Sequence, residues 1–371
     1  MKGHRLQKNL WAALLGLLAA LALGFGLLNP SLAEPNVLMA ESTILRPSPV
    51  IIDPNRSIEV GVHIENIWGL SLKDKTFNCE GWYWLKWPEP VQEIITKNNI
   101  NLTEIVEFTN QVESWNSKIE LDSSKPDRQP DGRFRQLVRF SIRLYDDDEN
   151  LRDFPFQSLS LPVILETRPT AFAVGENNIL LNPKIGSKGV VGDYAGLQGF
   201  QQTGATVKNK IHIYKTNFGV DELSKTGEFS QVTFSLDYAT DPWAAFYQYI
   251  LPWLTVMAML LMAPNLEGQF TELRLAIPST ALLTMVFLQQ SARADLPPLD
   301  YLTFLDKLYL FGFIASMVLF ALFVWGTNTY STAAPEQQTA VMARINRVDL
   351  IFQISTIGGA LLIVAGARLG P

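Results

Sequence analysis

One cysteine, Cys79, and three histidines are all that the 371 residues offer of the side chains that most often ligate transition metals or serve as nucleophile and base. A single cysteine excludes an intrachain disulfide and a thiolate metal cluster, so packing has to hold the fold together. No Ser/His/Asp arrangement, HExxH pair or phosphate-cradling glycine loop occurs, which argues against an enzyme, a cofactor or a metal site. The acidic run Asp146, Asp147, Asp148 and Glu149 lacks the glycine punctuation of a calcium loop and reads as a solvated turn. Charge is scarce as well, at 18% of residues with a formal net charge of −6 and no long basic run, so a nucleic-acid partner is not expected. No internal repeat is visible, which disfavours a transporter built from repeated halves.

What the chain does contain is apolar, and it is concentrated at the two ends. Lys2, Arg5 and Lys8 precede the run from Leu10 to Leu28, and Ser31-Leu32-Ala33 supplies small residues for cleavage, so 1–33 is expected to be a signal peptide, with retention as an anchor the other reading. After Asp241-Pro242 come four apolar stretches, with helices expected at about 243–263, 272–290, 303–325 and 348–367. Residues 242–371 therefore read as a membrane domain whose end returns to the exported side. Arg344 and Arg347 in or beside the longest inner connection agree with the positive-inside tendency.

Residues 34–241 read as strands. Ile58, Val60, Val62 and Ile64 alternate with Glu59, Gly61 and His63, the period of a half-buried strand. Similar runs are Phe77 to Trp87, Phe134 to Leu144, Leu159 to Leu165, Val207 to Tyr214 and Val232 to Tyr238. Turn-rich segments separate them at Ser123 to Gly132, Asp146 to Asn150 and Gly186 to Gly199. With no long helix evident, an exported all-β, immunoglobulin-like sandwich is expected.

The second apolar stretch differs from the others. Glu272, Ala276, Thr280, Leu283, Phe287 and Gln290 succeed one another in steps of three or four, so on a helix they form one stripe graded from acid through small and polar to apolar. Such a stripe suits several copies around a water-filled axis, with carboxylates selecting cations and rings of Leu283 and Phe287 closing the passage by dewetting. An ordinary buried helix with Glu272 snorkelling to the interface is the alternative. Arg274 must point away from the axis if the stripe faces it, and Pro278 should bend or loosen the helix near its inner end.

Several motifs appear in a definite order. Val60-Gly61-Val62-His63-Ile64-Glu65-Asn66-Ile67 is followed by Lys75-Thr76-Phe77, at the turn into a second strand, and by Glu80-Gly81-Trp82-Tyr83-Trp84-Leu85-Lys86-Trp87. Leu151-Arg152-Asp153-Phe154-Pro155-Phe156-Gln157-Ser158, Leu251-Pro252 and Leu296-Pro297 come later. Together they resemble the prokaryotic pentameric ligand-gated ion channels, members of the Cys-loop receptor superfamily that lack the loop disulfide. The resemblance implies a homopentamer of one chain with four identical partners around a central pore in the bacterial inner membrane, with the β domain outside. It places Glu272 at the inner charge ring with Ala276 and Thr280 beyond it, and Leu283 and Phe287 at the gate. It also makes Lys73, Asp74, Lys75, Phe154, Pro155, Phe156, Leu296 and Pro297 coupling residues. Gln157 stands where the family usually has an aspartate, and the arginine that usually partners it before the first span is missing.

The expected activity is a cation-selective channel, with permeant cations, opened by a small-molecule ligand or a proton. A membrane-tethered sensory or binding protein that conducts poorly or not at all is the alternative. Two ligand chemistries remain open. Trp82 and Trp84 share one face of a strand, which suits an amine or packing into the core, and Tyr214 and Phe229 flank the arm expected from Asn217 to Phe229, whose lack of an aromatic run leaves an amine cage incomplete. Arg133, Arg135, Arg139 and Arg143 share one face of another strand, which suits an organic acid, an ion-pair network or plain solvation. His63 and His212 fall at polar-face positions, as surface residues or as proton sensors.

Overall fold

Alternation of apolar and polar side chains sets the long strands of the amino-terminal region. A computed structural model describes residues 44–45, 53–147, 149–173, 179–185, 190–216, 228–266 and 270–369. The expected signal peptide, Asp148 and most of the arm after Tyr214 lie outside these residues. In β2 (Ser57–Ser71) the side chains of Ile58, Val60, Val62 and Ile64 are almost fully buried. In β3 (Thr76–Trp87) Phe77, Cys79, Tyr83, Leu85 and Trp87 are buried, while Trp82, Trp84 and Lys86 are half-buried on the other face. β8 (Phe134–Tyr145) follows the same rule with Val138, Phe140, Ile142 and Leu144 inside. Burial of this kind removes apolar area at about 25 cal/mol per Å² and is the main stabilising term. Burial also pushes the Cys79 thiol far above its usual range, so it packs as a small apolar residue.

Two sheets result. One orders β10 (Leu180–Pro183), β2, β3, β8 and β5 (Gln111–Val112), with β11 (Val191–Tyr194) on β2 and β6 (Lys118–Leu121) and β7 (Asp127–Arg128) on β8. The other orders β1 (Ile44–Leu45), β12 (Phe200–Ile213), β13 (Glu228–Thr240), β9 (Ser158–Thr167) and β4 (Val106–Phe108). Phe108 of the second sheet meets Tyr83 and Phe140 of the first with ring centroids 5.7 and 5.0 Å apart, so the two sheets share an aromatic core. Gly81 is required in β3, because a Cβ there would stand 2.1 Å from the His63 carbonyl oxygen on β2.

Three features depart from expectation. A helix, α1 (Glu89–Lys97), follows β3; only Val91 and Ile95 are buried, and Trp87 Nε1 donates to Gln92 Oε1 at 2.9 Å. β11 and β7 lie inside segments expected to be turns, each held by pairing with a longer neighbour rather than by its own pattern. β12 begins at Phe200, well before Val207, and ends before Tyr214, because the polar stretch Gln201–Thr203 has no alternation to betray it.

The carboxy-terminal region contains four helices long and apolar enough to cross a membrane: α2 (Pro242–Asn265), α3 (Thr271–Arg293), α4 (Phe304–Ser331) and α5 (Gln338–Leu369). Asp241 caps α2, accepting from Trp243 N and Ala244 N at 2.9 Å. A π-helical turn at Phe246–Ile250 precedes Pro252, whose ring cannot sit on a regular helical carbonyl four residues back. α3 continues through Pro278 without a break in the helix. α4 and α5 run well past their apolar stretches, so most of the expected inner connection is itself helical.

Candidate functional site

Within the helical region α3 is the least covered span. Only 17% of its apolar stretch is buried, against 39%, 39% and 28% for α2, α4 and α5. Pro278, Ala281, Met285 and Ala292 form the face turned into the bundle. Met285 packs at Gly312 of α4, beside Trp253 of α2. The opposite face carries Glu272, Ala276, Thr280, Leu283, Phe287 and Gln290, all exposed, with Leu283 at 56% and Phe287 at 65%. The graded stripe is therefore not buried against its own chain. Arg274 takes another direction, with Nη2 2.6 Å from Asp349 Oδ2 on α5 and its guanidinium 4.3 Å from the Phe323 ring centroid on α4.

The start of α4 is built as a receptor for the loop 150–157. The first four backbone N–H groups of a helix have no partner within it. Here Phe304 N donates to Arg152 O at 2.8 Å and Leu305 N to Phe154 O at 3.1 Å, both from that loop. Asp306 N donates to Thr303 Oγ1 and Thr303 N to Asp306 Oδ2, each at 3.1 Å, which completes the set. Phe154 and Pro155 are buried, Phe154 meets Tyr249 edge-on at 5.0 Å, and Phe156 lies 6.2 Å from Phe304. Leu151 N donates to Tyr301 Oη at 3.0 Å. Gln157 is buried with Oε1 unpartnered, while its carbonyl accepts from Thr240. Leu296 and Pro297 are buried in the connection between α3 and α4.

Nothing in the local pattern announced what ties the carboxy end of α3 to α4. The buried Asp306 carboxylate accepts two hydrogen bonds from Arg293 at 2.9 Å, one from Gln289 at 3.0 Å, and further bonds from Thr303. Asp306 thus closes the capping box of its own helix and clamps the last turn of α3. A T-x-x-D signature was present at Thr303 and Asp306, but nothing local pointed to Arg293 as its partner.

In the β region the tryptophan candidates share a face with the arginines, apart from Tyr214 and Phe229. Trp84 covers Gly61, where a Cβ would stand 2.1 Å from its Cζ2, and Trp82 lies under Arg139 at 5.7 Å. Arg133 meets Glu59 at 2.7 Å and Asp131 at 3.0 Å, Arg139 meets Glu80 at 2.5 Å, and Arg143 meets Glu113 at 2.7 Å. Arg135 has no carboxylate partner among the described residues, while its cross-strand neighbour Lys86 meets Asp131 at 2.6 Å. Burial raises the Glu59 carboxyl, but Arg133 and Lys184 outweigh it and hold it below its ordinary range. Bonds from Lys86 and Arg133 hold Asp131 lower still. The arginine face is thus largely neutralised by acids of the same chain. In their turn, Asp74 accepts from Ser71 Oγ at 2.8 Å, Lys75 has φ of +55°, and Lys75 O accepts from Asp146 N. Lys73 lies in the same turn, between β2 and β3.

A different cluster surrounds Glu166, 1% exposed on β9. Tyr214 Oη donates to its Oε1 at 2.6 Å; His212 Nδ1 stands 2.6 Å and Gln231 Nε2 2.8 Å from its Oε2. The His212 and Tyr214 rings are 4.2 Å apart, and Phe229 meets Tyr214 edge-on at 5.9 Å. Glu107, cross-strand from Glu166, is raised by burial and by that neighbour, with Arg168 opposing. Burial and the Glu166 carboxylate also push the Tyr214 phenol up. Tyr214 and Phe229 are therefore brought together, on an acid that periodicity alone treated as part of a strand. His212 is not an ordinary surface residue, and His63 too has a partner, Glu65 at 3.1 Å.

Neither the family models nor the curated proteins with which the sequence was compared contain a match to it. The architecture stands on its own: an all-β region followed by four spanning helices defines a membrane-embedded protein, and it is compatible with a subunit of a pentameric ligand-gated channel.

Proposed function

We propose that the chain is one subunit of a homopentameric, cation-selective, ligand-gated channel of the bacterial inner membrane, with its β region exported. One observation carries the reading: α3 leaves a stripe graded from Glu272 to Phe287 exposed, on the side opposite the residues that pack it into the bundle. Five copies of that stripe around an axis give a carboxylate ring, whose fields add over a low-dielectric wall, followed by apolar rings that exclude water.

The ligand favoured by the geometry is an amine. The arginine face already has its counter-ions, whereas Glu166 is a buried carboxylate bordered by Tyr214, Phe229 and His212. An ammonium replacing one of its present donors would keep the acid paired and gain contact with aromatic rings.

Cation flux through proteoliposomes, with and without primary amines, tests the reading. Amine-dependent flux is expected. A protein that binds amines without flux would instead be the non-conducting sensor of the same architecture.

A further inference from the structure

We propose that Asp349 is a positioning residue for selectivity: by gripping Arg274 inside the bundle it keeps a permanent positive charge away from the Glu272 ring and fixes the rotation of α3. The inference rests on the channel reading above and adds a determinant contributed by α5, a helix that does not carry the stripe.

The problem is set by spacing. Residues two apart on an α-helix differ by about 200° in direction, so Arg274 leaves α3 on the side away from Glu272. A guanidinium keeps its charge in proteins, and its stem is long enough to snorkel toward the nearest water. On the channel reading, one such water is the mouth that Glu272 faces. A cation there would cancel the field that selects cations.

Two contacts oppose that movement. Asp349 Oδ2 takes the guanidinium at 2.6 Å, and the Phe323 ring lies 4.3 Å from its centre. The side chains of Arg274 and Asp349 are only 11% and 6% exposed. Among the described residues Asp349 is the sole carboxylate partner of Arg274, and Arg274 Nε is buried without one. The grip is therefore a single charged contact and a ring, with no second acid to replace Asp349. α5 has other attachments: Gln353 Nε2 donates to Leu261 O of α2 at 2.8 Å, and Ile345, Phe352 and Ala360 are buried on the same side. Loss of the Asp349 charge releases Arg274 without releasing the helix.

Reversal potentials in proteoliposomes under a salt gradient test the proposal, using the parent, Asp349→Asn, and the Arg274→Gln/Asp349→Asn pair. Asp349→Asn is expected to lower the cation-to-anion permeability ratio by about threefold or more, because an uncompensated cation is left beside the mouth. The double variant, lacking both charges, is expected to return to the parent's ratio. A residue serving only stability would lower the amount of channel without moving the ratio. An unchanged ratio in Asp349→Asn, or a double variant that fails to recover, overturns the proposal. If the single variant does not assemble, the double variant decides alone, since a collapsed ratio there contradicts control by Glu272 with Arg274 held aside. A parent protein without any conductance rejects the channel reading itself, an outcome distinct from a conducting parent with an unmoved Asp349→Asn.

Discussion

Glu272 and Leu283 lie eleven positions apart on one helix face, yet they are asked to do opposite things to water. On the channel reading Glu272 attracts hydrated cations, and its replacement by glutamine should move reversal potentials toward those of a non-selective pore; unchanged selectivity would remove it from the ring. On the same reading Leu283 excludes water, so Leu283→Ser should open at lower amine concentration than the parent, read as a leftward shift of the flux dose–response. Spacing placed both residues on one stripe, since a helical period needs no tertiary knowledge, while their roles as ring and gate came from the family resemblance. Glu166 was not identified from spacing, because its partners His212, Tyr214 and Gln231 arrive from 46 to 65 positions further along the chain. On the far sheet, Glu59 offers a pH-dependent test. Its folded carboxyl is held low by Arg133 and Lys184, so the pair's stabilisation is present above the unfolded value near 4.3 and is lost as pH falls through the folded one. Arg133→Met should cost about 1 kcal/mol at neutral pH for this partly exposed pair, and less in acid, as measured by thermal unfolding.

Elements differ in how plainly their sequences announce them. β2, β3 and β8 alternate over their buried lengths and were readable as strands, whereas β11 and β7 exist because a longer neighbour pairs with them. α1 shows only two buried apolar positions, too few for a helical period to stand out from EPVQEIITK. The junction of α3 and α4 was equally silent, since an arginine and an aspartate thirteen positions apart carry no local pattern. Its energetics are nonetheless testable. Asp306→Ala would strand Arg293 and uncap α4, and should lower stability in detergent by about 3 kcal/mol, the low end for a buried pair because Arg293 is 45% exposed. Removing Arg293 as well should recover part of that loss; a double variant no more stable than Asp306→Ala would show that the cap, not the ion pair, dominates.

At the scale of the whole molecule the exposed stripe on α3 makes a claim about copy number. A lone subunit would place Glu272 and Thr280 against lipid, where polar groups are expensive. The native mass of the detergent-solubilised complex should therefore equal five chains, and a monomer or dimer would contradict the ring. Composition showed the membrane region and its four spans plainly, because hydropathy is additive along the chain. The number of copies is not, since it depends on the angle at which identical surfaces meet.

The amino end of α4 has one more implication. Two of its four leading amides are satisfied only by carbonyls of Arg152 and Phe154, and the other two by the side chains of Thr303 and Asp306. Sliding the loop 150–157 away would strip those amides bare in greasy surroundings, so loop and helix must travel as a single lever. Because Asp306 fastens that lever to Arg293, a push on the loop arrives at the carboxy end of α3.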